Sequence, residues 1–501
     1  MFEAYEVAAI RAGEDAAIAV VGEDALMQRA AAGLAQVVAD ELETRRPGGV
    51  AGARIVLLIG PGNNGGDALF AGAELSRRGA HVSAWRATGV AHEAGWAALM
   101  ATGATSIEGR APGATAATRA ADAVVDGLLG IGGRPGLRAD MAEYARLTGP
   151  KPPTLTVAVD TPSGVAVDPP FAPLTGDDAV PHLAADVTVT FGGRKLCHVL
   201  APGRDACGRV VAVDIGLPPL TPALACWEPA DVAARWPVPT SGDDKYARGV
   251  VGLDVGSPRY PGAAVLATLG ALYSGAGFVR YAGEPSVKES LLAGTPSVTF
   301  GTGRVQAWVL GCGWDDADPA TPERLAARLA DGVPCVIDAT ALEFLPDHLP
   351  EGCLLTPHAG ELARLLGRDR VPGRDRVPGR DRVPGRDRAD ITADPLAAAH
   401  EAADRFGATV LLKGATQVVA ASGDPVARLA VPGPAWTAQA GSGDVLAGVC
   451  GTLMAAGLPA PDAAVMAASL QALAAARHPG PYPPDVLATR LPRLIARLVA
   501  A

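Results

Sequence analysis

Three apolar runs in the N-terminal half of the chain end in residues able to do chemistry. GPGNNGGD (Gly60–Asp67) follows RIVLLI, and its glycines at 60, 62 and 65 fit G-x-G-x-x-G. Such glycines allow a tight turn and let a pyrophosphate approach a helix N-terminus. A redox-cofactor fingerprint also needs an acid about 20 residues later to hold a ribose. HVSAWRATG (His81–Gly89) offers Trp85 and Arg86 there, but no carboxylate. The loop instead carries two amides and an acid of its own, Asn63, Asn64 and Asp67. VVDGLLGIGGRPG (Val124–Gly136) ends a second run with Asp126 and a glycine-rich turn, and VAVDTPSGV (Val157–Val165) ends a third with Asp160 and Ser163. Carboxyl ends of neighbouring parallel strands share a crevice. Asn64, Asp126 and Ser163 would there form an all-oxygen set suited to a group I or II cation. Asp160 would be left free for substrate or proton transfer. Singly, each Asp reads as a turn or cap residue; together they read as a site.

A second set lies towards the C-terminus. AQAGSGDVLAGV (Ala438–Val449) puts two glycines and Asp444 at the mouth of an apolar helix. Free N–H groups there can hold a phosphoryl group, and Asp444 can take a proton from an attacking hydroxyl. An Asp favoured by the helix dipole is the bland alternative. LLKGATQ (Leu411–Gln417) offers Lys413 after a strand, and TPHAGE (Thr356–Glu361) adds His358 and Glu361 at another strand end.

Strands and helices must position these groups, and 501 residues suffice for two or three domains. Residues 1–50 read as Ala-rich helices. Runs such as RIVLLIG, HVSAW, DAVVDGLLG, TLTVAVD, DVTVTFG and RVVAVDIG then alternate with helix-compatible segments, which predicts a mainly parallel, doubly wound sheet. The Pro-rich stretch around residues 219–242 reads as a linker. A second α/β series follows over 243–501, with GVVGLDVGS, a helix from Pro261, AWVLGCGW, PCVIDAT, GCLLTPHAGE and TVLLKGATQVVA. Inside it, VPGRDR occurs three times over 371–388, a mixed-charge loop expansion without core-forming periodicity.

Composition narrows the function. Apolar residues make up 49% and charged residues 19%, and a net charge of −10 argues against a nucleic-acid partner. Seven scattered cysteines without a C-x-x-C pair read as small core residues rather than disulfides or a zinc site. The first 20 residues carry acids and no basic n-region, so no signal peptide is expected. The uncharged run Val445–Pro461 is interrupted by glycines and prolines, so no membrane span is expected. The expectation is a cytoplasmic protein.

GPGNNGGD, VVDGLLGIG and VAVDTPSGV, in this order after an Ala-rich helical start, resemble the NAD(P)H-hydrate epimerase domain. TFGGRKLCHVLAPGR and GRVVAVDIGLP (within Thr190–Pro218) are similar to that family's closing segment, so the resemblance spans 1–218. It implies a Rossmann-like fold in which the dinucleotide is substrate rather than redox cofactor. It further implies that Asn64, Asp126 and Ser163 bind potassium. Asn63, Asn64, Gly65, Gly66 and Asp67 would line the substrate site with Asp160 and the turn of Gly130, Ile131, Gly132, Gly133, Arg134, Pro135 and Gly136. Interconverting the R and S hydroxyls at C6 of the nicotinamide ring needs a proton donor and acceptor, and Asp160 is the nominee. Arg86 is a candidate contact for a 2′-phosphate.

DDKYARGVVGLDVGSPRYPGAAVLA (Asp243–Ala267), GALYSGAGFVR, LGCGW, TPHAGE, LKGATQ and GSGDVLAG together resemble the ADP/ATP-dependent NAD(P)H-hydrate dehydratases, a ribokinase-like α/β family. The resemblance implies hydrate contacts at Ala263, Gly313, His358 and Asp444. It implies nucleotide contacts at Lys413, Gly414, Ala415, Thr416, Gln417 and Gly443, with magnesium as phosphate counter-ion and a homo-oligomeric state. Asp444 would activate the C6 hydroxyl to attack the terminal phosphoryl of ADP or ATP; phosphate then leaves where hydroxide would not. The resemblance leans towards ADP. Two other readings stay open at this point: a small-molecule kinase, and an N-terminal half that only binds.

Overall fold

The computed structural model describes residues 1–148, 154–367 and 386–500. They form two compact units, Glu3–Ala223 and Leu224–Ala501, the second also taking in Met1–Phe2.

The strands of the first unit are β1 (Phe2–Tyr5), β2 (Arg54–Ile59), β3 (His81–Arg86), β4 (Thr105–Ile107), β5 (Ala123–Gly127), β6 (Leu155–Val159), β7 (Val187–Phe191), β8 (Arg194–Lys195) and β9 (Arg209–Val213). Seven of them make one sheet in the order β4-β3-β2-β5-β6-β7-β9, with every pairing parallel. Side chains alternate across each strand. Ile55, Leu57 and Ile59 therefore pack with Leu34, Val38 and Leu69 on one face, while Val56 and Leu58 pack with Trp85, Met141 and Tyr144 on the other. Burial on both faces explains the unbroken apolar runs in the sequence. The chain proceeds from β2 outward to β3 and β4, then returns to place β5 beside β2. That reversal leaves a crevice beyond the carboxyl ends of β2 and β5.

The second unit contains β10 (Leu224–Cys226), β11 (Val250–Asp254), β12 (Phe278–Tyr281), β13 (Thr299–Phe300), β14 (Ala307–Leu310), β15 (Cys335–Ile337), β16 (Cys353–Leu355), β17 (Thr409–Leu412), β18 (Val418–Ala421) and β19 (Ala427–Leu429). Their order is β13-β12-β11-β14-β15-β16-β17-β18-β19-β10. Strand order again reverses beside the unit's first central strand, between β11 and β14, so this sheet has a switch point of its own. The TVLLKGATQVVA segment, in which Lys413 is expected after a strand, is a hairpin: β17 ends at Leu412 and pairs antiparallel with β18, with KGATQ as the turn. The apolar helix Ser442–Ala455 packs across the sheet against helix Pro261–Tyr273.

The segment 219–242, expected to be a linker, is structured over much of its length. β10 pairs with β19, and helix Pro229–Arg235 begins at a capping box of Glu228 and Asp231. Trp227 and Val232 belong to the core of the second unit. A three-residue strand is too short to display a periodicity, which is why composition alone suggested a linker. Of the VPGRDR repeat, residues 371–385 lie outside the described residues; Asp387 in its last copy caps the helix Arg388–Ala393. All seven cysteines are buried, and none forms a disulfide. Among the described residues no helix is long and apolar enough to cross a membrane.

Candidate active sites

Each switch point carries a cluster of buried polar side chains. In the first unit, the turn after β2 demands glycine for steric reasons. A Cβ on Gly60 would lie 1.9 Å from the carbonyl oxygen of Leu128, and one on Gly65 would lie 2.3 Å from the carbonyl oxygen of Gly60. Gly62 faces open space, as the approach of a ligand requires. Helix Asn63–Arg77 begins in this loop, so Asn63, Asn64, Gly65, Gly66 and Asp67 all lie in its first turns. Asn63 is exposed and donates to Glu23 at 3.1 Å. Asn64 lies against Gly130, where an added Cβ would come within 2.9 Å of its Oδ1, and its Nδ2 is buried without a hydrogen-bond partner.

Asp126 at the end of β5 is fully buried. The Ser163 hydroxyl donates to its Oδ1 at 2.7 Å, the Ser163 N–H to its Oδ2 at 2.8 Å, and the Leu128 N–H to Oδ1 at 3.2 Å. Burial still dominates these bonds and pushes the Asp126 carboxyl up to about 6. The turn that follows presents Gly132, Arg134 and Pro135 to solvent, with Gly130, Ile131, Gly133 and Gly136 half-buried. The Arg11 guanidinium reaches the Ile131 carbonyl at 3.4 Å. Arg86, at the end of β3, stacks over the Trp96 ring at 4.4 Å.

The sequence reading leaves Asp160 free for substrate or proton transfer; in the structure its Oδ1 is held by two side chains. Asp160 sits in a left-handed backbone conformation (φ 63°) at the end of β6. Lys195, 1% exposed on β8, donates from Nζ to Asp160 Oδ1 at 2.5 Å, to Thr190 Oγ1 at 2.8 Å and to the Phe191 carbonyl at 3.0 Å. The Thr190 hydroxyl donates to the same Oδ1 at 2.9 Å. His198 accepts the Lys195 N–H at Nδ1 and donates from Nε2 to the Asp160 carbonyl, each at 2.9 Å. Burial alone would raise the Asp160 carboxyl, but the Lys195 charge and hydrogen bond outweigh it and hold the group below the ordinary carboxylate range. Burial and the neighbouring ammonium push His198 down to about 4, so it stays neutral. Asp67 behaves oppositely. Burial, helped by the Asp160 and Glu14 charges, holds its carboxyl well above the usual range. Two carboxyl groups with opposed protonation preferences thus share one site, the pattern of an acid/base division.

In the second unit, four adjacent strands each deliver one polar residue just past their carboxyl ends: Cys312 after β14, Asp338 after β15, Thr356 after β16 and Lys413 after β17. Lys413 Nζ donates to Asp338 Oδ1 at 2.6 Å, the Thr356 hydroxyl donates to the same oxygen at 2.8 Å, and the Cys312 thiol lies 3.6 Å from Oδ2. Asp444, in the first turn of helix Ser442–Ala455, completes the cluster. Its carboxylate, that of Asp338 and the Cys312 sulfur all lie within 4.8 Å of one another. A Cβ on Gly443 would sit 3.2 Å from Lys413 Nζ, so this glycine closes over the ion pair. Burial first, and the Asp338 charge second, push Asp444 up to about 7. Burial lowers Lys413, but Asp338 and Glu361 more than compensate and raise it.

Of the other sequence-predicted residues, Ala263 and Gly313 meet at the β11/β14 switch point. Gly313 has φ 65°, and a Cβ there would lie 2.5 Å from that of Ala263. Gly414 and Ala415 are exposed at the tip of the β17–β18 hairpin, with Thr416 and Gln417 half-buried beside it. His358 caps helix Ala359–Leu366: its Nδ1 accepts from the N–H groups of Gly360 and Glu361 at 3.0 and 3.2 Å. Its backbone bridges to Lys413, and its side chain remains 56% exposed. Sequence reasoning missed Lys195, Thr190 and His198 in the first site, and Asp338, Thr356 and Cys312 in the second. Asp338 ends PCVIDAT as Asp126 and Asp160 end their own runs, and that repeated strand-end signal would have found it.

Residues 23–197 match the family model described as YjeF-related protein N-terminus, and residues 251–497 match the one described as NAD(P)H-hydrate dehydratase. A bifunctional NAD(P)H-hydrate repair enzyme Nnr from Mycobacterium tuberculosis is 42% identical over 474 residues, covering 92% of this chain and 90% of that one. Its namesake from Mycobacterium leprae is 41% identical over 515 residues, covering 99% of both. Among solved structures, the ADP/ATP-dependent NAD(P)H-hydrate dehydratase from Bacillus subtilis, co-crystallised with ATP and Mg2+, is 23% identical. It covers 54% of this chain and 98% of that one, with a TM-score of 0.48.

Proposed function

The chain belongs to the bifunctional NAD(P)H-hydrate repair enzymes, and from that premise we propose that each switch point carries one of two consecutive repair steps. The first site, in residues 1–218, interconverts the R and S hydrates of NADH and NADPH. The second, in residues 243–501, uses an adenine nucleotide to dehydrate the S epimer to NAD(P)H with release of phosphate. The observation that carries this reading is the presence, in one chain, of two buried acid/base clusters, each at the carboxyl ends of parallel strands of its own sheet, with Asp67, Asp160 and Lys195 inside one matched region and Asp338, Lys413 and Asp444 inside the other. The seven buried cysteines, none of them in a disulfide, are consistent with a cytoplasmic setting.

In the first site, the bound hydrate lies over the Gly60–Asp67 turn, between the Gly130–Gly136 loop and Asp160. Asp160, kept ionised by Lys195, accepts the C6 hydroxyl proton, and Asp67, kept protonated, donates one as the ring opens. The side chains of Asn64, Asp126 and Ser163 offer only oxygen as cation ligands, and Asp126 is a buried carboxyl without a cationic partner among its hydrogen bonds. This donor set fits a large monovalent cation such as potassium, which would offset the burial of the Asp126 charge. Exchanging potassium for choline at constant ionic strength therefore lowers the melting temperature of wild type but not of Asp126→Asn. Equal shifts in both proteins would remove the cation from Asp126.

In the second site, Asp444 takes the proton of the C6 hydroxyl as that oxygen attacks the terminal phosphoryl of ADP or ATP and displaces AMP or ADP; phosphate then leaves C6, and loss of a proton from C5 restores the ring double bond. The N-terminal amides of helix Ser442–Ala455 and the Lys413 ammonium face the phosphates. The remaining donors do not make a magnesium cage. The Cys312 thiol is a soft ligand, and Asp338 is committed to Lys413 and Thr356. Ala263 and Gly313 form the wall against the hydrate. Gly313→Ala brings about 1–2 kcal/mol of left-handed backbone strain and a clash with Ala263. It raises the KM for the S hydrate more than it lowers kcat, as steady-state kinetics would show; an unchanged KM would move the hydrate elsewhere.

Product analysis separates this reading from that of a kinase acting on a stable alcohol. Dehydration leaves reduced nicotinamide and free phosphate, whereas a kinase accumulates a phosphorylated alcohol.

A further inference from the structure

We propose that Asp338 is a positioning residue of the second site, which aims the Lys413 ammonium at the nucleotide and presents a second carboxylate to Asp444. The proposal rests on the dehydratase reading above and adds to it a residue outside the substrate-contact set.

The geometry is specific. Asp338 is 2% exposed, and its Oδ1 accepts from both Lys413 Nζ at 2.6 Å and Thr356 Oγ1 at 2.8 Å. Two bonds to one oxygen fix the carboxylate plane and leave Oδ2 directed to the side occupied by Cys312 and Gly443. Lysine is a flexible point charge, and a buried, doubly anchored carboxylate removes much of that freedom before any phosphate arrives. The anchoring also places a negative charge within 4.8 Å of the Asp444 carboxylate. The groups acting on Asp444 are Asp338 from the end of β15, Lys413 from the end of β17 and Cys312 from the end of β14, while Glu361 acts on Lys413. Like charge from Asp338 opposes ionisation of Asp444 and Lys413 favours it, so the proton affinity of the base is set by this pair together with burial.

Lys413 holds Asp338 through one of its three ammonium donors and keeps the others for nucleotide phosphate. Asp338 thereby links the aim of Lys413 to the proton affinity of Asp444.

The test is Asp338→Asn in the full-length protein, followed through the pH dependence of S-hydrate dehydration and through ADP affinity by titration calorimetry. Removing the charge lets Asp444 ionise at lower pH, so the acid limb of kcat shifts downward by roughly one pH unit. ADP binding weakens by about tenfold as Lys413 loses its anchor, and the KM for the hydrate changes little. An unmoved acid limb with unchanged ADP affinity would overturn the proposal, even if melting temperature or kcat falls. If Asp338→Asn does not fold, Thr356→Val, which removes one anchoring bond but keeps the Asp338 charge, decides: a smaller loss of ADP affinity supports the proposal, and unchanged ADP affinity refutes it. If wild type fails to dehydrate the S hydrate with either nucleotide, the dehydratase reading falls. ADP affinity in the variants then still judges the anchoring of Lys413.

Discussion

Asp444→Asn abolishes nucleotide-dependent dehydration, by about 10³-fold or more in kcat, and leaves epimerisation of the hydrate unchanged. The substitution keeps the size of the side chain and removes its ability to take a proton. Asp444 stands in the first turn of a helix whose free amides attract phosphate, and burial together with Asp338 brings it up to about 7. A carboxylate of ordinary acidity would be ionised at neutral pH but a weak base. One near 7 is matched to proton removal in that range. The base must be ionised to work, so dehydration by wild type falls as pH drops through about 7. Steady-state rates of wild type and variant, each with pure S hydrate, check both statements. Residual dehydration above about a tenth of wild type would assign the proton to another group.

Lys195→Met has a comparable effect on the first site. It strands the Asp160 carboxylate in a buried setting without its ammonium, and breaking a buried pair in this way destabilises by about 3–5 kcal/mol. Burial, no longer opposed by the Lys195 charge, then raises Asp160, where in wild type the pair holds it low. The acceptor becomes protonated at neutral pH, and epimerisation falls by about 10²-fold. Because the ionised form is the active one, the remaining activity recovers as pH rises, whereas Asp160 gives wild type no such limb near neutrality. Denaturant unfolding and pH–rate profiles measure the two effects separately. The double variant with Asp160→Asn regains much of the lost stability without regaining activity, since both members of the pair are then uncharged. Full epimerase activity in Lys195→Met would exclude Asp160 as the ionised acceptor.

Much of this arrangement was readable from particular residues. The runs ending in Gly60, Asp126 and Asp160 were strands buried on both faces, and such strands write their apolar character continuously into the sequence. Gly60 and Gly65 were readable because only a residue without a Cβ fits there. What sequence did not disclose was pairing at a distance. Lys195 meets Asp160 across 35 residues, and Lys413 meets Asp338 across 75. Such contacts follow from sheet order, which no local pattern encodes. Asp160 therefore looked free when Lys195 and Thr190 both hold its Oδ1. An element too short for a period was hidden as well, as with β10 in the supposed linker. His358 was expected as a site residue from its strand-end position, whereas its service as a helix cap depends on the turn that follows it.

The central claim is that one chain repairs both epimers. Its most direct test is the recovery of reduced-nicotinamide absorbance from a mixed R and S NADH hydrate, with potassium, magnesium and either ADP or ATP. Wild type, Asp444→Asn and Lys195→Met are compared. The expected result is complete recovery by wild type, none by Asp444→Asn, and, with Lys195→Met, rapid recovery of the S fraction alone. Recovery by wild type that stops at the S fraction, or loss of hydrate into a phosphorylated product without reduced nicotinamide, would contradict it.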